Sequence, residues 1–89
     1  MTIPQNILDY VRFSSGSPFV DGHCAYMTDA KGNEYKLDRD HCGGKLSCRM
    51  TPPIPADYYD NDASRETWLK SSRFVALASV PAGTWKLAD

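Results

Sequence analysis

The stretch HCAYMTDAKGNEYKLDRDHC, from His23 to Cys42, decides how this chain folds. Its centre, Asp29-Ala30-Lys31-Gly32-Asn33, has the residues of a type I turn, with Gly32 at the left-handed bulge position. On either side, apolar and polar residues alternate with period two, which predicts a β-hairpin. If Asp29 faces Asn33, Met27 faces Tyr35 and Ala25 faces Leu37. Those four then share the core face. Cys24, Tyr26, Thr28, Glu34, Lys36 and Asp38 share the other, more polar face.

The flanking segments extend this sheet. Upstream, IPQNILDYVRF reads as a short helix, with Pro4 suited to a first helical position and Ile3, Ile7, Leu8 and Val11 at helical spacing. The run SSGSP, Ser14 to Pro18, ends it. Downstream, KLSCRMT is a third strand after the Gly43-Gly44 turn. PPIPADYYDND is irregular, because prolines cannot donate to a ladder. ASRETWLKSSR predicts a second helix, with Asp62 as N-cap and Trp68 and Leu69 as inner anchors. FVALASVPAGTWKLA predicts a second hairpin, turning at Pro81 and Gly83 with Val80 opposite Thr84. That pairing puts Val75, Leu77, Ser79, Trp85 and Leu87 on one face, and Phe74, Ala76, Ala78 and Val80 on the other. The expected fold class is α+β in a single domain, residues 1–89. It has a small antiparallel sheet of about five strands, two β-hairpins plus one strand, with one or two short helices.

Composition narrows the function. The chain has 89 residues and ten aromatics, enough apolar surface for one compact domain. Its formal net charge is −1, with acidic and basic residues interspersed. No basic stripe runs along the sequence, so direct nucleic-acid binding is not expected. Lys45, Arg49, Arg65, Lys70 and Arg73 are scattered and read as ordinary surface charge. No apolar run reaches the ~20 residues of a membrane span, and the N-terminus lacks the pattern of a signal peptide. With an odd count of three cysteines, this points to a cytoplasmic protein with reduced thiols.

Two clusters carry possible chemistry. Cys24, His41, Cys42 and Cys48 supply zinc-type donors that would converge at the open end of the first hairpin. Their spacing departs from paired C-x2-4-C and H-x3-5-H patterns, so free thiols are the leading reading and no cofactor is expected. A Cys42–Cys48 disulfide is a further alternative for an oxidising compartment. The second cluster, Asp57 to Asp62, reads DYYDND. It lacks the sixth-position glycine of a calcium loop. Its simplest role is a solvated loop that caps the next helix. Its functional role is recognition, because tyrosine gives large contact area at low entropic cost and carboxylates select basic partners. No phosphate-binding glycine loop or nucleophile elbow is present.

The expected function is a non-enzymatic protein-binding module with Asp57, Tyr58, Tyr59, Asp60, Asp62 and Trp68 at the contact. The partner would be a larger protein or nucleoprotein complex with a basic surface. A reading frame of this size, starting at its own methionine, suits a small inhibitor that blocks a larger machine. Phage-encoded inhibitors of bacterial defence, anti-CRISPR proteins among them, are one such class on size and composition alone. The alternatives are a zinc-stabilised module that binds nucleic acid or protein, and a small virion or enzyme-complex subunit.

Overall fold

The computed structural model describes residues 2–12, 24–39 and 44–88. Among them are two α-helices and five strands of one antiparallel sheet. In chain order these are α1 (Gln5–Arg12), β1 (Ala25–Thr28), β2 (Glu34–Arg39), β3 (Leu46–Thr51), α2 (Asp62–Lys70), β4 (Arg73–Val75) and β5 (Trp85–Leu87). The expected helix stop at Ser14–Pro18 and the turn at Gly43 lie outside the described residues, as do His41 and Cys42.

The first hairpin forms in the register the alternation predicts, with Ala25 opposite Leu37 and Met27 opposite Tyr35. Its turn is built around one carboxylate. Asp29 accepts from the Lys31 and Asn33 amides at 2.9 Å each, from Asn33 Nδ2 at 3.0 Å and from the Tyr35 hydroxyl at 3.2 Å. Gly32 has φ of 87°, a conformation that costs a residue with a Cβ but not glycine. The Asn33 side chain, followed by the Asn33 and Lys31 amides, holds Asp29 below the usual carboxylate range, although partial desolvation opposes this.

Strand order is β4-β3-β2-β1-β5. The expected second hairpin therefore does not form. β4 pairs with β3 at one edge, and β5 pairs with β1 at the other. The connection carries a 3₁₀ turn, Leu77–Ser79. In such a turn residues i and i+3 point the same way. Leu77 and Val80 therefore both pack into the core, which a strand could not arrange because their parities differ. Val80, expected on the outward side, is 1% exposed. Pro81 cannot donate to a ladder, and the Val80 carbonyl accepts instead from the Thr2 hydroxyl. The inward positions of Val75, Leu77 and Trp85 match the sequence reading, whereas Ser79 and Leu87 are exposed.

The core occupies one face of the sheet. Ala25, Met27, Tyr35, Leu37 and Cys48 meet Ile3, Ile7, Leu8 and Val11 from the N-terminal segment, together with Val80. Pro4 stands just before α1 rather than in its first turn. Its carbonyl accepts from the Ile7 and Leu8 amides at 3.1 and 3.2 Å. The Tyr10 hydroxyl donates to the Ala88 carbonyl at 3.1 Å, and the Ala88 amide donates to the Cys24 carbonyl at 2.9 Å. No helix among the described residues is long and apolar enough to cross a membrane.

Candidate binding surfaces

The first surface is a lobe, residues 52–72, that leaves the sheet at the end of β3 and returns at β4. It is built by local bonds. Asn61, not Asp62, is the N-cap of α2, and its Oδ1 accepts from the Ala63 and Ser64 amides at 3.0 and 3.3 Å. Its extended backbone suits the cap position, and this leaves Asp62 inside the first turn. There Asp62 pairs with Arg65 at 2.9 Å. Asp57 accepts from Asn61 Nδ2 at 3.2 Å and from the Ser64 hydroxyl at 2.8 Å. Arg65 also donates to the Tyr59 carbonyl at 3.1 Å, and its guanidinium lies over the Tyr58 ring at 5.5 Å.

Tyr58 sits at the centre of the lobe. Its ring meets Trp68 edge to face at 5.2 Å and Tyr59 at 4.9 Å. Trp68 Nε1 donates to the Pro52 carbonyl at 2.7 Å, tying α2 to the start of the loop. The six residues expected at a partner contact therefore divide. Tyr58 and Trp68 are half-buried and hold the lobe together. Asp57 and Asp62 are exposed but already bonded within it. Tyr59, 76% exposed, and Asp60 face outward, and Asp60 makes no side-chain hydrogen bond among the described residues. No residue of α2 is buried, and Ile54 and Leu69 are both more than half exposed.

The second surface is the outer face of the sheet, opposite the core. Cross-strand register places five of its residues in one line. Phe74 faces Arg49, Arg49 faces Lys36, Lys36 faces Tyr26, and Tyr26 faces Lys86. Phe74 is 79% exposed, and Arg49 and Lys86 are exposed. Lys36 lies 3.6 Å from Asp38, whose other oxygen accepts from Ser47 at 2.7 Å. The Tyr26 phenol is pushed up, first by its hydrogen bond with Cys24 and then by burial, with the Cys24, Glu34 and Asp38 charges adding to it. It stays neutral at neutral pH. Sequence reasoning placed Tyr26 and Lys36 on this face but missed the row. Arg49, Phe74 and Lys86 join it only through the pairing of β3, β4 and β5. The pairing of Tyr26 with Lys36 was the one available signal.

The zinc reading needs Cys24 and Cys48 on one side, and the sheet separates them. Cys48 points into the core, where burial, with a smaller contribution from the Asp38 charge, pushes its thiol up to about 11. Cys24 stands beside Tyr26, on the opposite face. Among the described residues, no three His, Cys, Asp or Glu side chains are gathered to hold a metal. Comparison of the chain with protein-family models, curated proteins and solved structures finds no match.

Proposed function

We propose that this chain is a non-enzymatic protein-binding module whose contact surface is the 52–72 lobe. The unburied state of α2 carries this reading. A helix in a small domain normally draws its stability from an apolar stripe packed on the core. α2 has no buried residue, and Ile54, Tyr59 and Leu69 remain exposed around it. The partner is a protein with a basic surface, because the lobe carries four carboxylates, Asp57, Asp60, Asp62 and Glu66, against Arg65 and Lys70. The proline-rich entry and the internal bonds of Asp57 and Arg65 pre-order the loop, which lowers the entropic cost of docking. A finer reading is an inhibitor that blocks a larger protein or nucleoprotein complex, with the acidic lobe competing for a basic groove. Phage-encoded anti-defence proteins of the anti-CRISPR kind are one class that size and charge would suit.

The test uses two outward residues whose side chains make no hydrogen bond among the described residues, Tyr59 touching the lobe only edge to face at Tyr58; an unchanged urea midpoint checks that the variant stays folded. Proteins captured on the wild-type chain are purified and titrated against wild type and a Tyr59→Ala/Asp60→Lys variant. Loss of a hot-spot tyrosine is expected to weaken binding by a factor of about 30 or more. The charge reversal is expected to flatten the salt dependence. Equal affinity for both chains removes the lobe as the contact surface.

A further inference from the structure

We infer that the outer face of the sheet binds single-stranded nucleic acid along the row Phe74–Arg49–Lys36–Tyr26–Lys86. This goes beyond the lobe reading and does not rest on it. No strand carries a basic stripe along its length, yet the register builds one across the sheet, with three cations from β3, β2 and β5 in line. Aromatic rings stand among them. Tyr26 lies between two lysines, and Phe74 ends the row beside Arg49. Cations that follow a phosphate backbone, with rings on which bases stack, are what sequence-tolerant single-strand binding requires. The 79% exposure of Phe74 leaves its ring surface open to such stacking.

The geometry selects a single strand over a duplex. Five strands spaced about 4.8 Å apart make a face roughly 19 Å wide, too broad for a major groove about 12 Å across. Glu34, exposed on the same face, stands beside the row, opposite Thr28 and Thr51, and Asp38 does not close the surface. Its pair with Lys36 is long, at 3.6 Å, and both side chains are about a third or more exposed, so a phosphate can displace it. Asp38 retains its bond from Ser47. The rings favour this ligand over an acidic polypeptide, because Tyr26 and Phe74 interleave with the three cations as bases interleave with phosphates along a single strand.

The probes are fluorescein-labelled oligouridylate and oligothymidylate, read by anisotropy across a salt series. Three phosphate contacts predict a slope of log affinity against log salt of about −2 for a single strand. Arg49→Gln/Lys86→Gln removes two of them and is expected to reduce the slope to about −0.7. Phe74→Ala is expected to lower affinity ~5- to 150-fold at unchanged slope. All three positions are exposed, so the variants are expected to unfold at the wild-type urea midpoint. Tighter binding of the ribose probe would identify RNA, and equal binding either polymer. No binding at low salt overturns the inference. So does competition by polyglutamate, charge for charge, with Phe74→Ala inert, which would assign the face to an acidic protein. The Tyr59→Ala/Asp60→Lys variant is expected to bind the oligonucleotides as wild type does, so failure of either surface is read separately.

Discussion

Replacing Gly83 with alanine tests the path of the chain between the two sheet edges. A Cβ at position 83 would stand 2.6 Å from Met27 Sδ and 3.0 Å from its Cγ. Ordinary contacts between such atoms lie near 3.5–4.0 Å, so roughly 1 Å must open. Met27 cannot easily give way, because it is fully buried between its cross-strand neighbours Tyr35 and Trp85. Overpacking of this kind costs about 1–3 kcal/mol. Gly83 is not among the glycines with positive φ, so alanine recovers about 0.4–1 kcal/mol by restricting the unfolded chain. The net expectation is a loss of up to about 2.6 kcal/mol, centred on about 1.3 kcal/mol, which lowers the melting temperature of a domain of this size by roughly 5–10 °C. Urea unfolding followed by tryptophan fluorescence gives the free energy. Met27→Ala removes both the sulfur and the Cγ that clash, so in that background Gly83→Ala is expected to be neutral or stabilising. The resulting coupling is about 1 kcal/mol or more. Were residues 73–88 a hairpin, Gly83 would lie in its turn, away from Met27. An identical effect of Gly83→Ala in both backgrounds would refute the crossing path.

Trp68→Phe keeps the ring beside Tyr58 but removes the bond to the Pro52 carbonyl, and is expected to cost about 1 kcal/mol in urea unfolding. An unchanged midpoint would mean that this bond does not anchor the lobe. Asp29, held below its ordinary pKa, contributes stability that is present above about pH 4 and lost as pH falls through the lower folded value. Asp29→Asn is therefore expected to flatten the acid limb of the stability curve, and an unaltered limb would rule out that linkage. Cys48, with its thiol pushed up to about 11, is expected to resist alkylation in the native protein at neutral pH and to react once unfolded, as read by peptide mass mapping. Because its folded pKa lies above the unfolded value near 8.5, its contribution to stability declines as pH rises from about 8.5 toward 11.

Local chemistry made the first half of the sheet legible. The Asp29–Gly32 turn fixed one register, and a slip of one residue would have exposed Met27 and Leu37, so only one pairing was tenable. α1 was legible from Ile7, Leu8 and Val11 at helical spacing, with Ile3 just ahead of it. The last segment was not, because its decisive constraint is non-local. Pro81 and Gly83 have turn chemistry, but the unpaired edge of β1 offers β5 a partner, and Leu77 and Val80 can be buried together only in a 3₁₀ turn. The cap of α2 shifted by one residue because Asn61 and Asp62 are both good caps and only backbone conformation distinguishes them. In the 52–72 lobe the residue types were visible, but not their division into Tyr58 and Trp68 as internal packing and Tyr59 and Asp60 as outward groups. The cationic row was invisible because it runs perpendicular to the chain.

A net charge of −1 conceals two surfaces of opposite character. The lobe joins the sheet at Thr51 and Arg73, within the same two strands that present Arg49 and Phe74. The acidic, aromatic lobe is therefore continuous with the β3–β4 end of the row, whose other members, Lys36, Tyr26 and Lys86, stand on β2, β1 and β5. A target offering basic protein beside single-stranded nucleic acid would engage both at once. The second contact would then form at the high effective concentration set by the first. Composition reports only the sum of these charges, whereas any such selectivity lies in how the strand order and the lobe distribute them.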